Sequence, residues 1–84
     1  MSKKQYSYYV GVLLEDGKTR FVTEIDYCGK YAKWEAGKEA KEMSMREADS
    51  LVYGLLLNFH YAFTVKVPNG ITFHNGEENE NERK

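Results

Sequence analysis

Eighty-four residues, 42% hydrophobic and 14% aromatic, are enough for one domain with one modest core built largely from rings, and not for two. A formal charge of −1 excludes a global field that would draw in nucleic acid or an anionic membrane surface, and leaves room only for a local basic patch. A single cysteine, Cys28, excludes an intrachain disulfide, so the core must hold the fold without a covalent staple.

The first residues, Met1 to Gln5, are basic but are not followed by an apolar h-region or a small-residue cleavage site. No apolar run has the length of a membrane span. A lone thiol fits a reducing compartment. The expectation is a cytoplasmic protein without a membrane partner.

Gln5 to Leu14 and Thr19 to Tyr27 are rich in Tyr, Val and Thr and read as two strands. Asp16-Gly17 between them predicts a two-residue type I′ hairpin turn, which needs positive φ at both central positions. That turn pairs Leu14 with Thr19, Val12 with Phe21, Val10 with Thr23, Tyr8 with Ile25 and Tyr6 with Tyr27. These side chains share one face, the more apolar one, and are predicted to form the core side. The other face then carries Ser7, Tyr9, Gly11, Leu13, Arg20, Val22, Glu24 and Asp26, with Tyr9, Leu13 and Val22 as its exposed apolar members.

Cys28-Gly29-Lys30 reads as a turn and Tyr31 to Glu35 as a short third strand carrying Trp34. Glu39 to Met43 is too short to nucleate a helix and is read as extended or irregular, with Ala40 and Met43 pointing inward. Ser44-Met45-Arg46-Glu47 is a capping box, in which the cap hydroxyl and the Glu47 carboxylate each satisfy the other residue's amide. Ala48, Leu51, Val52, Leu55 and Phe59 follow at helical spacing, so a helix is predicted over 45–58. Gly54 inside it is assigned to close packing on the sheet, and Asn58 to the left-handed residue that ends it. Tyr61 to Val67 alternates, with Tyr61, Phe63, Val65 and Val67 on one face. Pro68-Asn69-Gly70 is turn chemistry, and Ile71 to His74 reads as a short returning edge strand. The last residues are acidic and lack apolar side chains, which predicts a disordered tail over 76–84 behind a single domain over 1–75.

The fold class expected is therefore α+β: an antiparallel sheet of three to five strands, in the order β-β-β-α-β-(β), with one helix packed on one face. Candidate chemistry is sparse. His60, His74 and Cys28 lack the short ligand spacing of structural zinc sites. Cys28 has no base near it in sequence that would make it a nucleophile. Asp16, Glu24, Asp26, Glu35, Glu47 and Asp49 have simpler duties at turns, at the helix start and on solvated faces. Gly29, Gly37 and Gly70 are isolated and do not make a phosphate loop. No cofactor or metal is expected and the protein is read as not an enzyme.

Two binding surfaces remain. Tyr9, Leu13 and Val22, exposed on the uncovered sheet face, fit a protein partner or a second copy, and a strand edge is the alternative route to a homodimer. The segment 30–41 interleaves lysines with rings, and Lys30, Tyr31, Lys33, Trp34 and Lys41 make the alternative, a single-stranded nucleic-acid module with lysines on phosphates and rings on bases.

The chain also resembles a family. Val22-Thr23, Ala32-Lys33-Trp34-Glu35-Ala36-Gly37-Lys38-Glu39-Ala40, Met43-Ser44 with Ala48 and Val52, Gly54-Leu55 with Asn58, and Ala62-Phe63-Thr64-Val65-Lys66-Val67-Pro68 look like small accessory proteins encoded by phages and prophages of Gram-positive bacteria. The resemblance implies a role in the cytoplasm of an infected host. The partner it implies is a host or phage protein, as for anti-CRISPR proteins. The near-neutral charge argues against inhibition by mimicry of DNA.

Overall fold

A computed structural model describes residues 5–25 and 32–76. Its elements are β1 (Tyr6–Leu13), β2 (Thr19–Phe21), β3 (Glu24–Ile25), β4 (Ala32–Lys33), α1 (Met45–Leu57) and β5 (Tyr61–Pro68). The architecture is α+β, with a three-stranded antiparallel sheet ordered β2-β1-β5, a two-stranded ladder of β3 and β4, and one helix. The turn assigned to 28–30, Tyr31 and the tail after Gly76 lie outside the described residues.

β1 is central because it is paired on both sides. β5 pairs along its whole length, from Tyr6 opposite Pro68 to Leu13 opposite Tyr61. β2 pairs only with its second half, Gly11 to Leu13. Next to Tyr8 the same side of β1 is taken over by Met43, whose amide donates to the Tyr8 carbonyl at 2.8 Å. The 39–43 segment is thus extended, and Met43 is buried as expected.

The hairpin differs from its prediction by one residue. The Leu14 amide donates to the Lys18 carbonyl and the Gly17 amide to the Leu14 carbonyl, which makes a three-residue loop with Gly17 at φ 88°. This is the type I turn followed by a left-handed residue, the next commonest hairpin after the two-residue turns. Gly11 therefore faces Phe21, Val12 faces Arg20 and Leu13 faces Thr19. A slip of one residue turns every β2 side chain to the opposite face. Val22, predicted outside, is wholly buried against the helix, and Phe21, predicted inside, lies on the opposite face.

α1 follows its prediction closely. Ser44 accepts from the Glu47 amide at 3.1 Å and Glu47 accepts from the Ser44 amide at 3.0 Å. Ala48, Leu51 and Leu55 are buried against Val10, Val12, Val22 and Met43, with Tyr8, Ile25, Trp34, Val52 and Ala62 packed around them. No described helix is long and apolar enough to cross a membrane.

The other sheet face is not bare. After β5 the chain turns at Asn69–Gly70, which begins with the Ile71 amide on the Pro68 carbonyl, and returns across that face as a strap, residues 71–76. Phe73 stacks on Phe21 with ring centroids 4.6 Å apart and meets the Tyr9 ring edge-on at 5.3 Å. The Tyr9 hydroxyl donates to the Ile71 carbonyl at 2.9 Å. The strap is held from outside by residues 37–40, through Gly37 to Gly76, Ala40 to Phe73 and Asn75 to Lys38. Instead of an edge strand, 71–74 contributes one bridge, His74 to Glu39.

Candidate functional site

The uncommon chemistry of this molecule is at the end of α1. The His60 amide donates to the Leu55 carbonyl at 2.9 Å and the Phe59 amide to the Leu56 carbonyl at 3.1 Å. These two bonds form a Schellman motif, with Asn58 as the cap and the next residue in the left-handed region. Glycine is usual there because a Cβ crowds the following carbonyl. Here the residue is Phe59, at φ 69°, the one described non-glycine residue with positive φ. Asn58, expected to adopt that conformation, has φ −98°.

Phe59 gains no packing from the strain. It is 97% exposed, although its place four residues after Leu55 predicts it on the buried stripe. The helix ends one turn too early for that stripe to reach it. Beside it opens a cleft of about 700 Å³ lined by Val12, Leu14, Trp34, Leu56 and His60, with Leu13 and Tyr61 at its margin. Leu13, Leu56, Leu57 and Tyr61 are all substantially exposed. The walls come from four places: the end of β1, the residue after β4, the last turn of α1 and the start of β5. The Trp34 ring stands edge-to-face on His60, with ring centroids 5.3 Å apart. A signal for this surface was present in Leu55-Leu56-Leu57. Three consecutive leucines cannot all lie on one helical stripe, so at least one must project elsewhere.

The sheet-face site is not assembled as expected. Tyr9 is 1% exposed, sealed under Phe73 and the strap, and Val22 is 0% exposed in the helix-side core. Leu13 is 40% exposed, but it joins the cleft end of the molecule. The two errors have separate causes: the strap covers Tyr9, and the one-residue slip inverts Val22.

Of the basic and aromatic set, Lys30 and Tyr31 lie outside the described residues, as does Cys28. Lys33 and Lys41 are exposed and flank the Val22–Thr23 backbone, since the Thr23 amide donates to the Lys33 carbonyl and the Lys41 amide to the Val22 carbonyl. Trp34 is half-buried, packed on the core and set into the cleft wall. Lys38 pairs with Glu35 at 3.1 Å. His60 and His74 are apart, one on Trp34 and the other bridged to Glu39, and no group of three metal-ligating side chains gathers among the described residues.

Burial pushes the Tyr9 phenol above its ordinary value, and the negative charge of Glu42 acts in the same direction. Its neighbour Ser7 is buried with its hydroxyl 2.7 Å from Glu42 Oε2 and 2.9 Å from Asn69 Oδ1. These groups tie the start of β1 to the segments on either side of it and stand apart from the cleft.

Comparison of the chain with models of known families, with curated proteins and with solved structures finds no match.

Proposed function

We propose that this protein is a non-enzymatic binding module that docks an apolar segment of another protein at the cleft end of the fold, with Phe59 as the anchor. The accessory role in a host cytoplasm, with a host or phage protein as partner, belongs to the same proposal and rests on the sequence resemblance alone.

The observation that carries the reading is the pairing of strain with exposure at Phe59. A left-handed non-glycine residue costs about 1–2 kcal/mol, and a ring left in water recovers none of it. Backbone strain without an internal reward is characteristic of binding positions, where the partner supplies the missing contacts. Aromatic anchors beside a concave apolar surface are also the usual centres of binding energy in interfaces. Leu56, Leu57 and Tyr61 add further exposed apolar side chains within three residues of it in the chain.

The test is Phe59→Gly, which separates stability from binding. Glycine relieves the strain, so the variant should unfold about 1 kcal/mol later than the parent in urea. A displayed peptide library selected on the parent and counter-selected on the variant should yield apolar peptides that quench or shift Trp34 fluorescence and bind the variant at least about tenfold more weakly, about 1.4 kcal/mol. Loss of stability in the variant, or peptides that bind both proteins equally, would overturn the reading.

A further inference from the structure

The two edges of the sheet are treated differently. On the β2 edge Thr19 and Phe21 turn their backbone groups outward, and both of those of Phe21 are occupied by one side chain. The Asn75 amide nitrogen donates to the Phe21 carbonyl at 2.9 Å, and its oxygen accepts from the Phe21 amide at 2.8 Å. A third bond, to the Glu35 carbonyl at 3.0 Å, fixes the amide in place. Asn75 thus imitates the neighbouring strand and blocks that edge at Phe21.

The β5 edge has no such cover among the described residues. Tyr8 and Val10 accept from Met43 and Val22, and Leu14 donates to Lys18, so the even residues of β1 turn their backbone groups toward β2. The odd residues of β1 therefore bond to β5, through Tyr61, Phe63, Val65 and Val67. Ala62, Thr64 and Lys66 are left with N–H and C=O pointing outward along an eight-residue edge strand. Natural edges are often guarded by an outstretched lysine. Lys66, the single charge on β5, is instead folded back over the Tyr6 ring of β1, with its Nζ 4.4 Å from the centroid.

We infer that β5 is a self-pairing edge that joins two copies of this chain antiparallel about a two-fold axis at Thr64. The register is dictated by the sequence of the strand. Thr64 meets the partner's Thr64, Ala62 meets the partner's Lys66, and each of these pairs exchanges both backbone bonds. Pro68 has no N–H and ends the ladder where the outward donors run out. On the face opposite α1, Phe63 lies beside the partner's Val65 and Tyr61 beside the partner's Val67. Aromatic with β-branched, and Thr with Thr, are the favourable cross-strand pairs, and no like charges are opposed. The contact is isologous, so it closes as a dimer with a six-stranded sheet and leaves no open β5 edge for further addition. It does not involve Phe59, and the dimer carries two cleft ends.

The experiment is sedimentation across a concentration series with three variants. The parent should shift from the 9.8 kDa chain to twice that mass as concentration rises. Thr64→Pro removes only an outward N–H, which the β1–β5 ladder does not use, so it should stay folded by circular dichroism and remain a single chain. Phe59→Gly should dimerise like the parent. In a Cys28→Ser background, Thr64→Cys should form an intermolecular disulfide on mild oxidation, because facing residues in such a pair lie about 5.5 Å apart, within reach of the bond. Ala62→Cys, which faces Lys66 of the partner subunit, should not. A single-chain parent at every concentration, a dimer abolished by Phe59→Gly, or equal cross-linking at 62 and 64 would overturn the proposal. If Thr64→Pro unfolds, the cysteine pair decides alone.

Discussion

Tyr9 shows how one side chain binds two parts of the chain together. Its ring is sealed between the sheet and Phe73, and its hydroxyl reaches the Ile71 carbonyl. The bond requires the proton to stay on the phenol. Burial raises the proton affinity of the folded state, so above the unfolded tyrosine value of about 10 the folded chain holds more protons than the unfolded one. Stability must then fall as pH rises past that value and is complete below it. Urea unfolding at pH 9 and pH 11 should show this loss in the parent and a smaller one in Tyr9→Phe, which has no proton there to lose. An equal loss in both would assign the effect to other groups. Phe59 is the opposite case, a ring that binds nothing within the chain. The early end of the helix leaves it in solvent, 97% exposed.

The elements differ in how far local chemistry decides them. α1 is set by its own residues: a reciprocal cap at Ser44 and Glu47, and a stripe of Ala48, Leu51 and Leu55. Within it, Gly54 does not serve the close packing expected of it, because a Cβ there would meet nothing within 4 Å. Gly54→Ala should therefore stabilise the protein by about 1 kcal/mol, through helix propensity alone, read as an increase in the urea midpoint. A decrease would mean that the position is crowded. Gly11 is different: a Cβ there would come within 2.6 Å of the Phe63 ring, which lies across it from the neighbouring strand. The hairpin is the element on which local chemistry was ambiguous. Asp16-Gly17 suits a two-residue and a three-residue loop equally, since both need positive φ at Gly17. The choice moves every β2 side chain to the other face.

The described residues form three layers: α1, the sheet, and the strap of residues 71–76. The strap converts a sheet face that would have been exposed into a second, smaller core of Tyr9, Phe21 and Phe73. Asn75 is its clasp, 4% exposed and bonded to Phe21 and Glu35 at once. Asn75→Ala would leave the Phe21 N–H and C=O without partners, at a cost of about 3 kcal/mol. Its urea midpoint should fall accordingly, and the Phe21 amide should exchange with solvent far faster while amides of α1 stay protected. Uniform loss of protection would mean that the strap and the helix layer open together.

Periodicity and capping were enough to define the α+β class, the helix and its start, both long strands, the alternation of β5, and the inward Met43. Each depends on residues within a few positions of one another, and the energies concerned are those of turns, caps and stripes. The β2 register and the burial of Tyr9 and Val22 depend on contacts between residues far apart in the chain. Phe73 reaches back to Phe21, and Asn75 occupies the β2 edge at Phe21. No window of neighbouring residues contains those contacts. The closing of the chain on itself selected between conformations that local chemistry had left nearly equal in free energy.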